Sequence, residues 1–290
     1  MISWLLEPLT YSFMQRGLLA AVIVGILCAV MGTYVVLRGM AFLGDAMAHA
    51  ILPGVAIAYL LHGNLLVGAL AAAVVIALSI GFFSRQGTIK EDTAIGILFA
   101  AALSMGVALI SSIQTYAVDL SHILFGNILG VSLNDLWLTA GLGLVILLVV
   151  GLAYKQFLVI SFDPVLAATL RLPVELLRNI MFLLLALTVV VSLQTVGVGL
   201  AVAMLVTPAA TAYLLTRRLW SMMVISALIG AISSAAGLYI SYYLNIVSGS
   251  AIVLFATLIF LLVFLFNPRK GLLRRWKVKT PRISVENKSG

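Results

Sequence analysis

Long apolar runs separated by short polar segments dominate this chain. A helix crossing lipid needs about 20 apolar residues. Runs of that order cover Gly17–Leu37, Met40–Leu61, Leu65–Phe83, Thr93–Ile113, Leu133–Tyr154, Leu176–Leu193, Gly199–Leu215, Met222–Leu244 and Ala251–Phe266. Helix is the expected form of each, because a lone strand or irregular backbone leaves its N–H and C=O groups unpaired in hydrocarbon. The residues before Arg16 read as a short interfacial helix. Gly199–Leu215 is short and carries Pro208, so the pattern predicts eight or nine spans. The expected fold is an all-α, polytopic membrane protein.

The polar segments between the runs alternate in charge. Arg38, then Arg85 and Lys90, then Lys155, Arg171 and Arg178, then Arg217 and Arg218, and finally the C-terminal tail carry cations. The intervening segments 62–64, 114–132, 194–198 and 245–250 contain no Lys or Arg. Basic loops stay on the cytoplasmic side. The alternation therefore predicts nine spans, a cytoplasmic C-terminus and an external N-terminus, with His62 and His122 in external loops. If Gly199–Leu215 does not cross, that assignment breaks.

Composition agrees. Of 290 residues, 63% are hydrophobic and 9% charged, against about 25% charged in soluble domains. A soluble globular protein is excluded, as is a disordered or nucleic-acid-binding chain, since both need abundant charge. The spans leave no room for a sizeable soluble domain. Residues 1–267 read as one transmembrane domain and 268–290 as a basic cytoplasmic tail with eight Lys/Arg and one acid, near anionic headgroups. Cys28 is the single cysteine, so no intramolecular disulfide or cysteine metal cluster can form. The first ten residues lack a basic n-region and a cleavage site, and no signal peptide is expected. Small residues recur on one face at Gly25, Ala29 and Gly32 and again at Gly230, Ser234 and Gly237, the pattern that lets membrane helices pack closely.

The strongest chemical signal is Gly44-Asp45-Ala-Met-Ala-His49-Ala-Ile-Leu-Pro53-Gly54. Asp45 and His49 are the acid and the imidazole placed inside a span, and such residues are expensive in lipid. Their i, i+4 spacing puts both on one helix face. A carboxylate with an imidazole suits a divalent ion such as manganese, zinc or ferrous iron. Pro53 has no N–H for the His49 carbonyl, which frees a backbone oxygen beside them. One chain offers too few ligands; two copies would supply two Asp and two His. The plainer alternative is that the pair hydrogen-bonds to itself, or sits near the interface close to Arg38.

Three further segments carry weaker signals. In Ser161-Phe162-Asp163-Pro164-Val-Leu-Ala167-Ala168-Thr-Leu170-Arg171-Leu-Pro173, Asp163 is a good N-cap and Pro164 a good first helical residue. The helix, about two turns between the prolines, is too short to span; it reads as an interfacial loop helix or as one that docks into a cytoplasmic partner. Lys90-Glu91-Asp92-Thr93-Ala-Ile-Gly96 reads as the capped, acidic start of a span or as a second partner contact. Thr207-Pro208 after Gly197 and Gly199 marks a breakable or kinked helix, with Thr207 and Thr211 placed to bond freed carbonyls. No G-x-x-x-x-G-K-[ST], H-E-x-x-H or G-x-S-x-G occurs, so the chain does not cradle ATP phosphates and an intramembrane hydrolase is unsupported.

Taken in order, Gly44-Asp45-x-x-x-His49-x-x-x-Pro53-Gly54, Glu91-Asp92-Thr-Ala-Ile-Gly96, Phe162-Asp163-Pro164 and Ala203-Met-Leu-x-Thr207-Pro208-Ala-Ala-Thr-Ala resemble the permease subunit of bacterial manganese, zinc and iron ABC importers. The likeness runs up to the basic tail, and the arrangement is similar to type II importers with fewer spans. It implies a permease homodimer, a cytoplasmic ABC ATPase dimer that uses the ATP, and an extracellular metal-binding lipoprotein, all at the bacterial plasma membrane. It makes Asp45 and His49 the metal pair. It makes Phe162–Pro173 the coupling helix, with Phe162, Asp163, Pro164, Ala167, Ala168 and Leu170 facing the ATPase. No covalently bound cofactor, no chemistry by the chain itself and no nucleic-acid partner are implied. The manganese branch fits better than the zinc branch, and iron stays open within the family. A proton-coupled secondary carrier, with Asp45 and His49 relaying protons, is the rival of another class; a membrane scaffold that transports nothing is a third.

Overall fold

A computed structural model describes residues 7–85, 90–112 and 128–267. The basic tail, His122 and most of segment 114–132 lie outside the described residues. Among those described there is no strand, and nine helical segments are long and apolar enough to cross a membrane.

The chain runs through α1 (Ser12–Leu37), α2 (Leu43–Ala50), α3 (Leu52–Leu60), α4 (Leu65–Arg85), α5 (Glu91–Ser111) and α6 (Leu133–Leu152). It continues through α7 (Tyr154–Phe162), α8 (Pro164–Thr169), α9 (Val174–Val196), α10 (Val198–Leu215), α11 (Leu219–Leu244) and α12 (Ser248–Phe266). All nine expected spans are present. The second is broken at Ile51 into α2 and α3, and α7 is a separate short helix that the pattern did not predict.

Helix α1 is the hub, packed against α6, α9, α10 and α11. Its glycines make that possible. A Cβ on Gly25 would stand 2.9 Å from the Gly230 carbonyl oxygen, and one on Gly32 would overlap the Leu205 carbonyl oxygen. Gly25 and Ala29 meet Gly230 and Ser234 at the α1–α11 crossing, where Ser226 Oγ donates to the Ala29 carbonyl at 2.9 Å, while Gly32 meets α10 and Gly237 meets Ile252 of α12. Cys28 is buried, its Sγ 3.1 Å from Ser192 Oγ.

Helix α10 is continuous through Pro208. Thr211 Oγ1 donates to the Thr207 carbonyl at 2.7 Å. The discontinuity expected near the glycines falls between helices, at Gly197 with φ +83°, and not within α10. Large apolar side chains such as Val75, Phe82, Leu144, Leu148, Leu254 and Leu258 are exposed on the outer helices. On a chain of this kind such a surface is covered by lipid or by another chain.

Helix polarity sorts the loops into two ends. The C-termini of α1, α4, α10 and α12 share one end with the start of α5, with α8 and with the start of α9. Asn267 Nδ2 donates to the Leu214 carbonyl at 2.6 Å there. This basic end holds Arg38, Lys90, Arg171, Arg178, Arg217 and Arg218.

Candidate functional site

Gly39 turns the chain out of α1. Its φ is +70°, a left-handed conformation that glycine adopts without a Cβ penalty. The Gly39 and Met40 amides bond back to Val36 and Val35, and the Leu43 amide to Met40. Helix α2 then starts against α5, α9 and α10. Gly44 faces Leu205 of α10, where a Cβ would stand 3.0 Å from Cδ2.

Asp45 lies in the first turn of α2 and His49 in its last. The helix dipole favours an anion at the first position and a cation at the second. Their neighbours Leu43, Gly44, Ala46, Met47, Ala48 and Ala50 are all buried. The Asp45 and His49 side chains themselves are 40% and 31% exposed. Both are half-buried, and the Phe99 ring of α5 has its centroid 6.1 Å from that of His49. Phe42 closes on the same ring edge-on at 5.4 Å.

His49 Nε2 and Asp45 Oδ1 are 3.5 Å apart, too far for a good hydrogen bond. Two donors each about 2.1 Å from one ion, at a tetrahedral angle, stand about 3.4 Å apart. The spacing suits two ligands of one tetrahedral ion and equally an i, i+4 ion pair within the helix. No group of three or more His, Cys, Asp or Glu occurs among the described residues.

The freed His49 carbonyl is only partly as expected. The helix breaks at Ile51, and the Ile51 amide turns back onto that carbonyl. By helix rise Asp45 and His49 lie about 3 and 9 Å into a span about 27 Å long, nearer the basic end.

The short helix α8 is built as its sequence suggests. Asp163 Oδ1 accepts from the Val165 and Leu166 amides at 2.9 and 3.0 Å. Arg171, at φ +56°, closes the following turn, with the Leu172 amide on the Ala167 carbonyl at 3.1 Å. Phe162, Asp163, Pro164, Ala168 and Leu170 are exposed, but Ala167 is fully buried against its own chain. Val165 and Leu166, not singled out by the sequence, are exposed apolar residues on this helix. Phe162 itself closes α7.

The start of α5 differs from expectation. Lys90 occupies the cap position without a side-chain bond, and Glu91 is the first helical residue. Its carboxylate leaves the helix end and takes Arg38 Nη2 on both oxygens, at 2.8 and 2.9 Å. Arg178 Nη1 lies 3.6 Å from the same carboxylate. Burial lowers the Arg38 guanidinium from its ordinary range, and Glu91 offsets part of that. From the sequence alone Arg178 reads as a topology signal, and Arg38 as that and as a mark of the pair's nearness to the interface.

A model of the ABC 3 transport family matches residues 10–267. The chain belongs to the ABC 3 transport family. It is 49% identical over 274 residues to the manganese transport system membrane protein MntC of Halalkalibacterium halodurans, covering 94% of each chain. It is 38% identical over 288 residues to the chelated iron transport system membrane protein YfeD of Yersinia pestis, covering 99% of this chain and 97% of the relative. Among solved structures, PsaBC from Streptococcus pneumoniae in complex with Fab superposes with a TM-score of 0.83 at 41% identity, over 96% of this chain and all of the other. This ABC 3 family member is a membrane permease subunit of an ABC importer, which sets aside the proton-coupled carrier and the scaffold.

Proposed function

We propose that this permease carries manganese inward for an ATP-driven importer, with Asp45 and His49 as its transient ligands. One observation carries the reading: a carboxylate and an imidazole, one turn apart and 3.5 Å from each other, stay half-exposed on a helix whose other residues are buried. A second copy facing them would complete four protein ligands, and two carboxylates would neutralise a dication. The manganese-named relative supports the choice of ion. The iron-named relative keeps iron as the second reading.

The other parts follow from the same fold. The basic end faces the cytoplasm, a reading that the distribution of Lys and Arg supports. There α8 offers Phe162, Val165, Leu166 and Leu170 to a separate ATPase. An external binding protein delivers the ion to the opposite end. An N/O site by itself binds zinc more tightly than manganese, so the preference for manganese resides in delivery and in geometry.

The test is metal-stimulated ATPase and uptake by the reconstituted complex, scanned across manganese, zinc and iron. Manganese stimulates the wild type, and Asp45→Ala and His49→Ala abolish uptake while the chain still inserts and assembles. Normal uptake by both variants removes the ligand assignment; stimulation by iron alone moves the reading to iron.

A further inference from the structure

Three charged side chains from three helices meet at the basic end. Arg38 closes α1, Glu91 opens α5, and Arg178 lies on the second turn of α9. All are substantially withdrawn from solvent, with side chains 11%, 25% and 15% exposed. Glu91 receives both arginines, and Arg178 Nη2 also donates to the Gly81 carbonyl of α4 at 3.3 Å. Arg38 is gripped by α9 one turn further on. Its Nη1 points at Met181 Sδ at 3.8 Å, and its guanidinium carbon is 5.8 Å from the Phe182 ring centroid.

The position of this cluster along the chain gives it meaning. On one side, Arg38 passes through the bonded Gly39 turn directly into α2, and Asp45 is the third residue of that helix. On the other side, α8 passes through the bonded Arg171–Pro173 corner directly into α9, with the Leu172 amide on Ala167 and the Leu177 amide on Pro173. A displacement of α8 therefore moves the start of α9. The start of α9 moves Arg178, Met181 and Phe182. These hold Arg38 directly and through Glu91, and Arg38 holds the start of α2.

Stability does not explain the arrangement well, because a buried ion pair roughly breaks even against apolar packing of similar volume. Its geometric use is clearer: fixed, multidentate contacts tie elements together in register. We propose that Arg38, Glu91 and Arg178 are positioning residues that couple the docking helix α8 to the Asp45–His49 ligand pair. This rests on the function proposed above.

The experiment uses the reconstituted complex of permease, ATPase and binding protein in vesicles, and reads manganese ions imported per ATP hydrolysed. Glu91→Gln keeps the shape of the side chain and removes its charge. It is expected to lower that ratio about tenfold, within the usual range of site-to-site coupling, while ATP hydrolysis per assembled complex stays within about twofold of wild type. The exchanged pair Arg38→Glu with Glu91→Arg restores much of the ratio. Arg178→Gln leaves the Arg38–Glu91 bond in place and lowers the ratio less, so it serves if Glu91→Gln does not assemble. A purely structural role lowers uptake and hydrolysis together and leaves the ratio unchanged. An unchanged ratio in assembled Glu91→Gln, or in Arg178→Gln where Glu91→Gln fails to assemble, overturns the proposal. Failure of the proposed function shows separately, as a wild-type complex that imports no divalent metal.

Discussion

At the scale of single residues, the bundle depends on what is missing from Gly32. Its Cα faces the Leu205 carbonyl so closely that a Cβ would stand 2.7 Å from the carbonyl carbon and overlap the oxygen. Neither atom can rotate away, since both belong to helix backbone. Gly32→Ala is therefore expected to push α1 off α10 and to cost about 1–3 kcal/mol, the usual range for overpacking. The same change at Gly96 meets nothing within 4 Å and leaves stability unchanged or slightly higher. Thermal unfolding of the two variants in detergent checks the contrast. Equal midpoints would mean that the α1–α10 contact is looser than the structure shows. The glycine was legible as part of a small-residue face, but its partner was not. Leu205 lies in the stretch Ala203-Met-Leu-x-Thr207-Pro208, nothing in which names Gly32, and only the fold brings its carbonyl there.

The elements show why some features could be read from the chain and others could not. Spans are local properties: each apolar run needs no knowledge of its neighbours, and all nine are helices in the structure. The Asp45–His49 face is equally local, because helix periodicity alone places i and i+4 together. Pro53 predicts a freed His49 carbonyl, and the structure adds a bend at Ile51 that the single run Met40–Leu61 does not announce, where α3 needs a starting residue ahead of its second-position proline. The Arg38–Glu91–Arg178 cluster was illegible for the opposite reason. Its members are separated by 53 residues or more, and a charge at the end of a span looks like a topology marker until its partner is known.

Helix α8 carries the prediction at this scale. Its apolar residues divide into Ala167, buried within the chain, and Val165 and Leu166, turned outward. Val165→Asp and Leu166→Asp put charge on the outer face and leave the cap at Asp163 untouched. Each is expected to leave the permease folded and to reduce recovery of the ATPase on co-purification about tenfold, a loss of about 1.4 kcal/mol. Asp163→Ala instead removes two backbone bonds and loosens the helix by about 1 kcal/mol, a smaller and indirect effect. Undiminished recovery with both outward variants would show that the ATPase docks elsewhere.

At the scale of the whole molecule, the proposed site has two ligands among the described residues. Among the described residues no third His, Cys, Asp or Glu approaches Asp45 and His49, and a divalent ion held by one carboxylate and one imidazole keeps most of its water. On the proposed assignment a single permease holds the ion weakly, and the remaining ligands come from outside the described residues. If they come from a second copy, the site belongs to the pair and not to either half. A tandem fusion of two permeases tests this, one half wild type and the other carrying Asp45→Ala and His49→Ala. Two independent half-sites would leave such a fusion importing manganese at about half the rate of the wild-type tandem. A shared site loses two of its four protein ligands at once. Each good charged contact is worth about 1.5–3 kcal/mol, so uptake should fall at least tenfold, close to the tandem with both halves altered. Half-rate uptake in the mixed fusion, with normal insertion and ATPase recovery, would place the complete site within one chain and reject the shared one.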